Sequence, residues 1–318
     1  MNYPPRLPLA SYPTPLIAAS RLSKTLGINL YFKRDDLISF GLGGNKIRGL
    51  EFIVADALAK NAKTLITGAG VQSNHVRATA AVAAYCGLDC VAVYWGNEPE
   101  QVEGNYRLTK MLGARTYFTG DNERSSVDTG IIELAQAMPN SYAIPRGGAC
   151  ALGVLGHVLA VEELANQCQA LNISPDMIVL AGGSGGTCAG WLLGIALLNL
   201  PWQVRCFSVS RPADELHAQV QRLANEAAAL LNVECNIPEM WINDEFIGAG
   251  YGIPSAEAAE AIKLVGKTEA VLLDPTYTGK AMAGFLHHNH AKNQSVVFIH
   301  SGGEPAFFTG NGQWLGCV

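Results

Sequence analysis

The sequence predicts an α/β fold of open, twisted, mostly parallel sheets with helices on both faces, and three observations predict it. Short apolar runs such as TLIT (Thr64 to Thr67) and MIVLA (Met177 to Ala181) are continuous, as strands covered on both faces require. Helix-length periodic segments separate most of these runs. Glycine is abundant, at 34 of 318 residues, and gathers at the strand-to-helix turns where open α/β sheets bind ligands.

Taken in order, Lys33-Arg34-Asp35-Asp36 stands at a strand end, where adjacent opposite charges pair structurally. Gly41-Leu42-Gly43-Gly44-Asn45-Lys46 then precedes an amphipathic helix with Leu50, Ile53, Val54, Ala57 and Leu58 on one face. TLIT runs into GAGVQSNH and an alanine-rich helix ending near Gly87. CVAVYW (Cys90 to Trp95) leads to a helix reaching about Leu112, with Gly113 just past its end. RTYF, YAIP, MIVLA, VRCFSVS and SVVFIH supply further strands. No solenoid repeat or low-complexity tract interrupts the series.

Bulk properties narrow the function classes. A chain of 318 residues suits two modest domains, because single cores stop growing near ~250–300 residues. Hydrophobic residues make up 49% and charged residues 15%, and the net charge is −5 with Lys and Arg scattered. Neither a nucleic acid nor an anionic membrane is an expected partner, since both call for a basic patch. The opening MNYPPRLPLASYPTPL lacks a charged n-region with an apolar h-region, and the apolar run around Trp191 to Leu200 is shorter than the ~20 residues of a bilayer span. A soluble, cytoplasmic protein is expected. Cys86, Cys90, Cys150, Cys168, Cys188, Cys206, Cys235 and Cys317 form no C-x-x-C pair and read as free, largely buried thiols.

Four stretches carry chemistry. Lys46 falls at a helix start, where the macrodipole disfavours positive charge and helps produce the neutral amine of a Schiff-base lysine. Taken alone, the stretch reads more simply as an exposed lysine after a flexible turn. Gly182-Gly183-Ser184-Gly185-Gly186-Thr187 follows a strand and opens a helix, so its amides and hydroxyls suit a phosphate. Gln72-Ser73-Asn74-His75, at another helix start, can hold a carboxylate or simply cap the helix. The last third offers Gly250-Tyr251-Gly252, Asp274-Pro275-Thr276-Tyr277-Thr278-Gly279-Lys280 and His300-Ser301-Gly302-Gly303, loops whose tyrosines could move protons or cap a core.

A dinucleotide fits poorly: Cys188 stands where the last glycine or alanine of the fingerprint belongs, and the strand ending at Ser210 offers no ribose-binding acid. A phosphate-binding Walker loop fails because Ala261 replaces the leading glycine before Gly266-Lys267-Thr268. His287, His288 and His290 read as a solvated helix end, and no metal is expected. Lys280 is assigned a structural or loop role.

Together, KRDDL, GGNKIR, QSNHVR, GYGIP, DPTYTGKAMAG and HSGGEPAFF resemble the fold type II (tryptophan-synthase-β-like) pyridoxal-phosphate enzymes, in the branch of 1-aminocyclopropane-1-carboxylate deaminase and D-cysteine desulfhydrase. The resemblance runs from about Pro13 to Phe308. It implies pyridoxal 5′-phosphate (PLP) on Lys46, Asn74 at its 3′-oxygen, and a phosphate cup of Gly183, Ser184, Gly185, Gly186 and Thr187. It also implies substrate contacts from Ser73, Asn74, His75, Tyr251 and Tyr277, with Lys46, Ser73, Tyr251 and Tyr277 catalytic. Thr278 and Ser301 replace the glutamate and leucine of the deaminases, and Thr278 faces the ring nitrogen. A threonine cannot protonate that nitrogen, which favours β-elimination of D-cysteine to pyruvate, ammonia and hydrogen sulfide over opening of a cyclopropane. The resemblance further implies a larger PLP-binding domain (1–48 and 158–318), a smaller α/β domain (49–157), an active site in the cleft between them, and a homodimer. The segment after Trp95 is shorter than in the longer desulfhydrases, which bears on substrate size.

Overall fold

The computed structural model describes residues 1–310 and Trp314; Cys317 lies outside the described residues. Ten strands and ten helices are found among them. The N-terminal part supplies β1 (Leu16–Ala18), α1 (Ser20–Leu26), β2 (Asn29–Arg34) and α2 (Lys46–Ala59). The middle supplies β3 (Thr64–Ala69), α3 (Asn74–Cys86), β4 (Asp89–Tyr94), α4 (Gly104–Met111), β5 (Arg115–Phe118), α5 (Ser126–Ala137), β6 (Ser141–Ala143) and α6 (Ala151–Leu171). The rest comprises β7 (Met177–Gly182), α7 (Gly186–Leu197), β8 (Gln203–Ser208), α8 (Ala213–Leu230), β9 (Trp241–Asn243), α9 (Ala256–Glu269), α10 (Thr278–His287) and β10 (Ser295–His300). None of the described helices is long and apolar enough to cross a membrane.

Two sheets form. One runs β1-β2-β10-β7-β8-β9 and the other β5-β4-β3-β6; among the described residues only the β1–β2 pair is antiparallel. The continuous apolar runs are explained by period-2 burial on two faces. In β7, Ile178 and Leu180 enter a core with Trp191 of α7 and Leu164 of α6, while Met177 and Val179 enter another with Phe285 of α10 and Ile262 of α9. β3 divides likewise, with Leu65 packed among the α2 and α3 residues and Ile66 against Val127 and Ile131 of α5. Every run expected from sequence forms a strand, whereas β1 and β9, three-residue edges, carry no signal of their own.

α2 departs from the expected amphipathic helix. Leu58 is 38% exposed rather than packed, and Arg48, Glu51 and Phe52 are buried. The helix touches two cores, with Phe52 in one and Leu50 and Ile53 in the other, so it has little solvent face left to be polar. Its buried charges are satisfied instead: Arg48 pairs with Asp35 at 2.7 Å and Glu163 at 3.0 Å, and Glu51 with Arg6 at 3.2 Å, while Lys33 of β2 pairs with the same Glu163. The run from Lys33 to Asp36 thus pairs structurally, largely with partners distant in sequence. The limits expected for the smaller domain, 49 and 157, fall inside α2 and α6, and we propose them as its boundary.

Each sheet reverses its strand order once. β3 is followed by β4 and β5 on one side and by β6 on the other; β7 is followed by β8 and β9 on one side and neighbours β10 on the other. Ligands settle beyond the carboxyl ends of strands at such switch points.

Candidate active site

A cavity of about 440 Å³ is bounded by the loops that follow β3, β6, β7 and β10, the strands at the two switch points. Of the residues singled out from sequence, Lys46, Ser73, Asn74, His75, Gly183, Ser184, Gly185, Thr187, Tyr251, Tyr277 and Ser301 line it. Two do not. Gly186 turns toward Ala149, and Thr278 is fully buried behind the wall.

Lys46 is the first residue of α2. α2 crosses α6 at a distance only glycine permits, since a Cβ on Gly156 would lie 2.1 Å from the Arg48 carbonyl oxygen. The preceding loop is held by Arg77, whose guanidinium donates to the carbonyls of Gly41 and Gly43 and, through Nε, to Asn105 Oδ1. Lys46 keeps part of its surface open to the cavity, yet burial lowers its pKa to about 8, with Cys188 opposing. No carboxylate contributes, which distinguishes it from Lys33. The two nearby imidazoles stay neutral: burial, then Lys46, pushes His75 down to about 3 and His157 well below its ordinary value.

Ser73 is the N-cap of α3, its Oγ accepting from Val76 N at 3.3 Å, so capping and a place on the cavity wall coexist. Asn74 is oriented by Asn105, whose Nδ2 donates to Asn74 Oδ1 at 2.9 Å. Its NH2 is thereby left as the free donor. Asn105 is in turn fixed by Gln72, which accepts from its backbone N–H at 2.8 Å. His75 turns away from this loop, with Nε2 3.1 Å from Thr67 Oγ1 and the ring edge against Gly148, so its place is mainly structural.

On the other side, Gly185 adopts φ +90° before the first turn of α7, a conformation that suits glycine and presents the helix's free amides. Thr187 shares its hydroxyl between Asn45 Nδ2 at 3.1 Å and His157 Nε2 at 3.3 Å. Gly147 abuts Ser184, where a Cβ would meet Oγ at 2.6 Å.

Tyr251 and Tyr277 face each other with hydroxyl oxygens 2.5 Å apart. Burial raises the pKa of both, that of Tyr277 well above the ordinary phenol, so both hold their protons at neutral pH. Lys280 supports this pair: Nζ donates to the carbonyls of Ile247 (2.7 Å) and Gly250 (2.8 Å), pinning the Tyr251 loop, and burial lowers its pKa to about 8. The structural role expected for Lys280 is thus given a mechanism. Thr278 donates to Asp274 Oδ1 at 2.7 Å and accepts from Asp274 N at 2.8 Å, closing the turn that presents Tyr277.

Asn45, Trp95, Arg124, Arg146, Cys188 and Arg211 also line the cavity and were not singled out for it from sequence. Asn45 adjoins Lys46 and Cys188 follows the glycine-rich loop inside α7, so both were within reach of motif reading; the others sit on loops that only the fold brings together. His288 and His290 bond to backbone carbonyls of Gly284 and Phe285. Among the described residues, Asp36, His300 and Glu304 group closely, but Asp36 pairs with Arg34 at 2.5 Å and His300 Nε2 with the Leu272 carbonyl at 2.9 Å.

The family model described as pyridoxal-phosphate dependent enzyme matches residues 7–302. The chain is 41% identical to a Pyrococcus abyssi protein named "Putative 1-aminocyclopropane-1-carboxylate deaminase" over 96% of this chain and 93% of that one. It is 39% identical to a D-cysteine desulfhydrase of Yersinia enterocolitica, over 96% and 95%. A crystal structure titled as an ACC deaminase homologue superposes with a TM-score of 0.90 at 36% identity, covering 99% of this chain and 96% of that one.

Proposed function

The chain belongs to the pyridoxal-phosphate-dependent enzyme family, and from that premise we propose that it binds PLP through Lys46 and eliminates sulfide from D-cysteine, giving pyruvate and ammonia. The donor set fits the cofactor: an amine of lowered pKa, the free amide donor of Asn74 for the phenolic oxygen, and the α7 N-terminus for the phosphate. When bound, PLP supplies the electron sink for the pair left at the substrate α-carbon.

The chain's own residues supply the rest. The amides at the start of α3, with Ser73, hold the substrate carboxylate. Lys46, once displaced as a neutral amine, is the base for the α-proton. Tyr277 donates to the departing sulfur, and Tyr251, within hydrogen-bond reach, restores that proton. The observation that carries this reading is the union in one cavity of a largely buried lysine without a carboxylate partner and two phenols that keep their protons.

Opening of 1-aminocyclopropane-1-carboxylate is the second reading, favoured by the identity to the Pyrococcus protein. Against it stands Thr278, whose hydroxyl is no acid for a ring nitrogen and already donates to Asp274. D-Cysteine, L-cysteine and 1-aminocyclopropane-1-carboxylate, each offered to the purified enzyme, separate the readings. Pyruvate with sulfide from D-cysteine is expected; 2-oxobutanoate from the cyclopropane would reverse the order. A homodimer in the cytoplasm, implied by the resemblance, belongs to the same proposal, and sedimentation tests its stoichiometry.

A further inference from the structure

Three guanidinium groups from three different loops line the cavity: Arg124 before α5, Arg146 after β6 and Arg211 after β8. They are tied together. Arg146 Nη1 donates to the Arg124 carbonyl at 3.2 Å, and Arg124 Nη1 donates to the Ser210 carbonyl, next to Arg211, also at 3.2 Å. Arg146 pairs with Asp128 at 2.8 Å. Among the described residues no carboxylate lies within ion-pair distance of Arg124 or Arg211. Glu123 and Glu215 also line the cavity, but both are exposed, whereas the arginines are half-buried. Burial, followed by the like charges of Arg146 and Arg124, holds Arg211 below its ordinary pKa despite Glu215 and Asp128.

The proposed chemistry leaves these cations unused, because the α3 start takes the substrate carboxylate and the α7 start the cofactor phosphate. Their position indicates which part of a substrate they would meet. The Arg124 guanidinium lies 5.3 Å from the centre of the Tyr251 ring, whose hydroxyl touches that of Tyr277. That is the side of the cavity where the leaving group is protonated.

We propose that Arg124, Arg146 and Arg211 form a third anion subsite, one that selects amino acids whose β-sulfur substituent carries its own carboxylate or similar negative group. This rests on the elimination reading above. The step needs no oxidant. The Cβ–S bond breaks, its electron pair leaves on sulfur, Tyr277 protonates that sulfur and Lys46 takes the α-proton. The products are an acidic thiol and an aminoacrylate, which takes up water to give pyruvate and ammonia.

The test compares S-carboxymethyl-D-cysteine with its neutral isostere S-carbamoylmethyl-D-cysteine, with D-cysteine alongside, on the holoenzyme. The expected result is a preference of about tenfold or more in kcat/KM for the carboxylate, carried by KM and weakened by added salt, as charge-assisted contacts require. Arg211→Met should bring the ratio of the two isosteres close to one and Arg211→Lys should keep part of it. The ratio within one variant cancels any general loss of folding or chemistry. Equal rates on the isosteres in the wild type, or an unchanged ratio in Arg211→Met, would overturn the subsite while D-cysteine turnover left the elimination reading standing. Elimination from none of the three would overturn both.

Discussion

Lys46 differs from the buried cations Lys33 and Arg48 in having no carboxylate beside it among the described residues. Lys33 and Arg48 are neutralised by Asp35 and Glu163, while Lys46 meets desolvation opposed only by Cys188. Its folded pKa of about 8 lies below that of a lysine in an unfolded chain, roughly 10.4, so the unfolded state binds more protons between those values. Burying the charge therefore destabilises the cofactor-free protein fully below pH 8, and the penalty fades as pH rises toward 10. Thermal melts of the apoprotein should show Lys46→Met more stable than wild type below pH 8, with the gap closing above it; a gap independent of pH would contradict the assignment. Tyr277→Phe removes the proposed acid but keeps the ring, and kcat should fall by about 10²–10⁴-fold, the usual worth of general acid catalysis. Steady-state rates on D-cysteine check it, and an unchanged kcat would place the acid elsewhere. At this scale the places of Gly183, Ser184, Gly185, Thr187, Ser73, Asn74 and the tyrosines on the cavity wall were legible because each belongs to a contiguous motif. The arginines were not, since no spacing along the chain says that residues 124, 146 and 211 meet. The burial of Thr278 behind Asp274 was equally invisible, because motif position does not reveal side-chain direction.

At the scale of elements, α2 and α6 set the position of Lys46. Gly156→Ala would drive a Cβ into the α2 backbone at Arg48, and overpacking of this kind costs about 1–3 kcal/mol. Denaturant melts should register that loss, together with weaker PLP binding, because α2 carries Lys46 on its first turn. Glu163→Gln leaves Lys33 and Arg48 with one fewer charge partner, and removing half of a buried pair costs roughly 3–5 kcal/mol. A loss under 1 kcal/mol would mean that water reaches the network. Strand sequences betrayed themselves through continuous hydrophobicity, a direct consequence of burial on two faces. α2 misled for the related reason that a helix between two cores need not be amphipathic, and its charges stayed hidden because their partners lie up to 115 residues away.

For the whole molecule, function follows from two sheets whose switch points open onto one cavity. The larger supplies the glycine-rich loop after β7 and Ser301 after β10, and the smaller the Ser73–Asn74 turn after β3. Stripping PLP should therefore lower Tm, and adding it back should raise Tm with concentration, as for any ligand bound by the native state alone. Parallel strands and crossover helices were readable from the chain, and their order within each sheet was not, because local patterns do not record which strands become neighbours. The central claim is that this cavity is built around Lys46 as the cofactor lysine. Lys280 is its natural rival, a second lysine in the same region whose pKa is also lowered to about 8. Reduction of the holoenzyme with borohydride, followed by peptide mapping, decides between them. The account predicts a pyridoxyl group on the peptide containing Lys46 and none on Lys280; label on Lys280, or on no single lysine, would contradict it.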